Sequence, residues 1–109
     1  MRVDALANEA GFTAICLPAP ERQINGVYIG DLLSWVMGRA SADDAWITIM
    51  SNVNVLAVAS LADVSCVLLA EGVTLPDEVL AVAQEKEINV LTTERSAYEA
   101  AISLHRFLK

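Results

Sequence analysis

The sequence predicts a single small α/β domain, a mostly parallel sheet with helices packed on it. Three features point to that class. From residue 27 onward, short runs rich in β-branched and aromatic residues alternate with stretches whose apolar residues recur at helical spacing. The connections between them are short, so each helix serves as the crossover that a parallel strand pair requires. The run VSCVLL at 64–69 is nearly continuous in apolar character, as in a strand covered on both faces.

Taken in order, Val3, Leu6, Ala7 and Ala10 recur at helical spacing and Gly11 follows as a cap, predicting a short opening helix. Residues 12–17 read as a strand that Pro18 and Pro20 stop. Residues 27–29 form a second short β-rich run. Asp31 is placed to cap a helix whose buried stripe would be Leu32, Leu33, Val36, Met37 and Ala40. Residues 45–50 are too short and too rich in β-formers for anything but a strand, and Asn52 or Asn54 caps a helix over about 55–62. The strand at 64–69 leads to Thr74, Leu75, Pro76 and Asp77, a capping-box pattern opening a helix on Val79, Leu80 and Ala83. Residues 89–92 are the last strand. The final helix is expected to begin near Thr93, with Glu94 in its first turn and Arg106 and Lys109 in its last. Its inner stripe would be Ala97, Tyr98, Ala101, Ile102, His105 and Leu108.

Composition narrows the function classes. A chain of 109 residues fits one domain spanning 1–109. Hydrophobic residues make up 55% of it and the mean hydropathy is +0.47, which is high for a domain with so much surface to cover. Some apolar surface is therefore expected to be shared with a second copy, as a homodimer. No apolar run reaches the roughly 18–20 residues that span a bilayer, so no membrane role is expected. The opening residues show no signal peptide, and a cytoplasmic location follows. A net charge of −7, with the few cations scattered, argues against nucleic acid.

Chemical motifs are sparse. Cys16 and Cys66 are fifty residues apart and lie in apolar strand runs, so they read as buried free thiols rather than a redox or metal pair. His105 is the single histidine and reads as a helix-packing residue. The pairs Asp43–Asp44 and Asp77–Glu78 sit beside helix starts and read as solvated turn and cap residues. No metal site and no cofactor is implied. The candidate ligand residues lie at strand-to-helix junctions, where helix starts offer free N–H groups: Ser51, Asn52 and Asn54 at one, Gly72 and Thr74 at the next. Trp35, off the main stripe of its helix, is the candidate interface residue, and Trp46 opens a strand.

The blocks GVYIGDLLS at 26–34, AWITI at 45–49, AEGVTLPD at 70–77 and EINVLTTE at 87–94 together resemble a stand-alone DRTGG-domain protein over nearly the whole chain. The stretch at 70–72 keeps one glycine of the name-giving motif. The resemblance implies a fold like the non-catalytic N-terminal domain of HPr serine kinase/phosphorylase, and a regulatory or assembly role. It also implies a partner enzyme, a hydrogenase or NADH-oxidising complex. The phosphate-cradling loop GxxxxGK[ST] that the kinase half needs is missing from the sequence, so no kinase activity is expected. The expected function is a non-catalytic module that self-associates and acts on a partner enzyme. The alternative is a sensor for a small anionic or nucleotide ligand at the two junctions.

Overall fold

Short β-rich runs of three to five residues form the strands, of which the central Asp44–Thr48 and Cys66–Leu69 bury both faces, and the intervening amphipathic stretches supply the covers. The computed structural model describes residues 1–108. The order is α1 (Ala5–Glu9), β1 (Thr13–Cys16), β2 (Gly26–Ile29), α2 (Leu33–Arg39), β3 (Asp44–Thr48), α3 (Val53–Ala62), β4 (Cys66–Leu69), α4 (Asp77–Glu85), β5 (Val90–Thr92) and α5 (Ala97–Leu108). The strands form one five-stranded sheet in the order β1-β5-β4-β3-β2. β2, β3, β4 and β5 are parallel, and β1 runs antiparallel against β5 with an irregularity between Ala14 and Cys16.

Because the strand order runs from β2 to β5 without reversing, the crossovers through α2, α3 and α4 all pass over the same face. There Val36, Val55, Leu56, Val79 and Ala83 pack on Trp46, Val67, Leu69 and Val90. The opposite face is covered by α1 and α5, whose Leu6, Ala10, Ala100 and Leu104 pack on Ala45, Ile47, Cys66, Leu68 and Leu91. Alternate residues of β3 and β4 thus serve two separate cores, which is why these strands read as continuous apolar runs. Trp46 belongs to the interior: it is fully buried in a strand with neighbours on both sides, and its Nε1 donates to the Gly30 carbonyl at 2.9 Å.

The helix ends depart from the sequence-based expectation in several places. α2 begins at Leu33, not at an Asp31 cap, and its described buried residue is Val36, while Leu32 and Met37 are exposed. The short helix covers an edge of the sheet, so a single inward position suffices. Asn52 does cap α3, its Oδ1 accepting from the Asn54 N–H at 3.0 Å, and the helix starts at Val53. The capping box at Thr74 does not form; Pro76 precedes α4, which opens with Asp77 and Glu78. α5 starts at Ala97, with a capping box between Ser96 and Glu99 instead of at Thr93. Its buried side holds Ala100 and Leu104, flanked by Ala97 and Ala101, so Tyr98 and His105 face outward. The small alanines let α5 lie close to the sheet, and that close approach sets the rotation of the helix. Lys109, expected in its last turn, lies outside the described residues.

Four non-glycine residues adopt the left-handed conformation: Asp43, Asp63, Glu71 and Glu87. Asp43, Asp63 and Glu87 each turn the chain from a helix into the following strand, a place glycine usually fills.

Candidate functional site

The two predicted junctions open at the same end of the sheet, since β3 and β4 are adjacent parallel strands. Several polar groups at and beside them are engaged by the chain itself. Asp31 reaches across from the end of β2, its Oδ1 accepting from Thr48 Oγ1 at 2.7 Å and from the Ile49 N–H at 3.0 Å. The Met50 N–H donates back to Thr48 Oγ1 at 3.2 Å. Asn52 spends its Oδ1 on Asn54, while Ser51, Asn52 and Asn54 all lie exposed. At the next junction the Gly72 N–H donates to the Thr93 carbonyl at 2.8 Å, and Thr92 Oγ1 donates to the Val73 carbonyl at 2.6 Å. Gly72 has φ +72°, and a Cβ there would stand 2.6 Å from Glu94 Oε2. Thr74 is exposed and makes no cap.

Two physical features set the character of this end. Asp31, Glu71 and Glu94 bring carboxylates beside the strand ends. Open parallel sheets gather ligands in the crevice where neighbouring connections leave for opposite faces, and here that divergence falls between β4 and β5, since α4 packs on one face and α5 on the other.

Cations instead gather around α5. Arg95, Arg106 and Ser103 line a cavity of about 480 Å³ beside Gly11 and Phe107. Arg95 Nη1 donates to Ser103 Oγ at 2.6 Å, so one guanidinium is held in place at the cavity wall. A second groove of about 410 Å³ runs between β2 and α5, past Val27, Ile29, Tyr98, Ile102 and His105. Sequence reasoning missed both, because Arg95 precedes the helix that carries its partners and because the phase assigned to α5 pointed Tyr98 and His105 inward.

At the far end of the sheet, Arg22 anchors the segment between β1 and β2. Its Nη2 donates to Asp43 Oδ1 at 2.8 Å, and Nη1 lies 3.2 Å from Asp63 Oδ1 and donates to the Val64 carbonyl at 3.0 Å. Burial works against the Arg22 charge, but the two carboxylates outweigh it and raise its pKa above the ordinary value. Asp43 and the buried Asp44, which accepts from the Ser41 N–H at 2.8 Å, are thus structural partners rather than solvated turn residues. Asn89, fully interior, ties the same region by donating to the Ala19 and Ser65 carbonyls and accepting from the Ala19 N–H. Cys16 and Cys66 are buried free thiols. Burial pushes Cys66 up to about 12 and raises Cys16 as well, so both are held in the protonated, weakly nucleophilic form. No helix among the described residues is long and apolar enough to cross a membrane.

The fold and its strand ends define a small α/β module in which α2, α3 and α4 share one face of a mostly parallel sheet and hydrogen bonds of Asp31, Thr48 and Thr92 tie the strand ends. The family model for the DRTGG domain matches residues 7–107, and the chain belongs to that family. Among solved structures it is similar to the CBS and DRTGG domains of the regulatory region of Clostridium perfringens pyrophosphatase, in complex with the activator diadenosine tetraphosphate. The TM-score is 0.73 at 18% identity, over 94% of this chain and 45% of that one. The chain thus spans less than half the length of that solved relative. No curated protein matches it.

Proposed function

We propose that this chain is a non-catalytic regulatory or assembly module that self-associates, as a homodimer, and acts on a partner enzyme. The observation that carries this reading is the number of large apolar side chains left exposed on so small a domain: Val27 and Ile29 on β2, Leu32, Trp35 and Met37 on and beside α2, and Tyr98 on α5. On a small acidic domain such a surface favours association over isolation. Family membership supports the regulatory half, since the structural neighbour's DRTGG domain stands in the regulatory region of an enzyme. The partner is a hydrogenase or NADH-oxidising complex, in keeping with the family resemblance, and the setting is cytoplasmic. Kinship to the HPr kinase N-terminal domain belongs to the same reading. Light scattering over a concentration series tests self-association: a mass of two chains is expected, and a single-chain mass at every concentration overturns it.

A second reading, a sensor for a small anionic or nucleotide ligand, is favoured by the convergence of Arg95 and Arg106 at one cavity in a chain of net charge −7. Two guanidiniums lining one cavity suit a phosphate group. Adding ATP or pyrophosphate should raise the melting temperature if the reading holds. Loss of the shift in Arg106→Ala places the ligand at α5; loss in Asn52→Asp places it at the Ser51–Asn54 and Gly72–Thr74 junctions. A wild-type protein indifferent to both probes has no such site.

A further inference from the structure

The two faces of the sheet are unequally covered. Three helices roof one face, but on the other α1 lies over β1 and α5 over β3, leaving β2 without a cover. Val27 and Ile29 stand in register with Ala45 and Ile47 and point to the same side. Ala45 and Ile47 are fully buried, whereas Val27 is 38% and Ile29 50% exposed. Beside them α5 presents Ile102 and Tyr98, the latter 75% exposed, as the other wall of the groove. The titratable side chains in the groove walls are Tyr98, His105 and Arg106; no carboxylate lines it among the described residues.

The two edges of the sheet are also unequally protected. β1 carries a register irregularity at Ala14 to Cys16 and runs into Pro18, both of which discourage a further strand. β2 has neither: its register with β3 is unbroken from Gly26 to Ile29, and the strand holds no proline and no charged residue. An uncharged apolar edge with unbroken register is a template for strand addition unless something already occupies it.

Resting on the self-association reading above, we infer that the occupant is a second copy of this chain, joined edge to edge through β2 in antiparallel pairing about a two-fold axis at Tyr28. That axis sets Val27 opposite Ile29 of the second copy, and the reverse. In antiparallel pairs opposed residues share a face, so the four side chains meet on the uncovered side. Both α5 helices lie on that same side, and the two grooves merge into one apolar seam. Charge permits this edge: two copies of net −7 repel, and here they meet through an uncharged strand and a groove lined by no carboxylate among the described residues, with Arg106 its one permanently charged wall residue. The pairing is isologous and closes at two chains.

The test is light scattering over a concentration series on the full chain and three variants, with circular dichroism to show that each is folded. Ile29→Lys places a charge on the paired edge, and Tyr98→Ala trims the seam without touching the strand. Wild type is expected at the mass of two chains, with the dissociation constant raised at least tenfold in both variants and unchanged in Trp35→Glu. If Ile29→Lys and Tyr98→Ala stay dimeric while Trp35→Glu dissociates, self-association stands and the β2 edge is overturned as its seat. Wild type at the mass of one chain throughout overturns both.

Discussion

Asp31 and Thr48 are joined by a hydrogen bond of 2.7 Å between the Asp31 carboxylate and the Thr48 hydroxyl, across the ends of two neighbouring parallel strands. The aspartate that the sequence offers as a helix cap thus works as a strand-end tie, holding the buried Thr48 and the Ile49 amide together. Asp31→Ala should cost about 1 kcal/mol in urea denaturation, with helical content unchanged. Asp31→Asn keeps an acceptor oxygen and should lose less. Equal losses in the two variants would mean that the tie contributes nothing beyond charge.

Arg22 ought to be among the most sensitive polar positions. It holds Asp43, Asp63 and two carbonyls at once, and removing it strands those groups. Asp63 is well exposed and its share is screened, so Arg22→Ala is expected to lower stability by roughly 1–2 kcal/mol. Raising the salt concentration should shrink the difference only slightly, because the carbonyl bonds remain lost.

Cys66 imposes a pH dependence. The folded thiol keeps its proton to about 12, against an ordinary value of 9.0. Between those two values the unfolded chain has released a proton that the folded chain retains, so stability falls as pH rises above about 9, by at most about 1.4 kcal/mol per unit for this one group. Below that pH the thiol contributes no slope. Urea midpoints between pH 8 and 10.5 should fall less steeply for Cys66→Ala than for wild type; matching slopes would show that the thiol ionises freely in the fold.

Two glycines should respond in opposite directions to alanine. Gly38 lies in α2 with open space where a Cβ would go, and Gly38→Ala should stabilise by about 0.5–1 kcal/mol. Gly72 is left-handed and crowded by Glu94, so Gly72→Ala should destabilise by more than about 1 kcal/mol. Thermal melts of the two variants, read side by side, check both signs.

Much of the architecture was legible because the strands announce themselves: continuous apolar runs at β3 and β4 can only be covered on both sides, and short connections force crossovers. Element ends were less legible. Asp43, Asp63 and Glu87 take left-handed turns that sequence patterns assign to glycine, so the helix-to-strand turns carried no marker. The phase of α5 was misread because Ala100 and Leu104 face the sheet, with Ala97 and Ala101 beside them, while Tyr98 and His105 are exposed. At the candidate site, the Asn52 cap followed from local spacing. The Arg22 clamp did not, since its carboxylates lie 21 and 41 positions away in the chain. Nothing in the sequence marks Arg95 and Ser103 as partners, because their meeting depends on how α5 docks.

The pairing of β1 with β5 joins residues near the two ends of the chain, Thr13 to Thr92. Every other ladder forms between strands that follow one another in sequence, so β2 to β5 can assemble progressively as the chain lengthens. The opening strand has no place in the sheet until residues 90–92 exist, and closing so long a loop carries the largest entropic cost of any strand pairing here. In pulsed hydrogen exchange during refolding, the β1 amides should therefore be protected after those of β3 and β4. During synthesis, which adds residues from the N-terminal side, residues 13–16 thus stay without a strand partner until residues 90–92 have been made, and they are the last strand to be fixed.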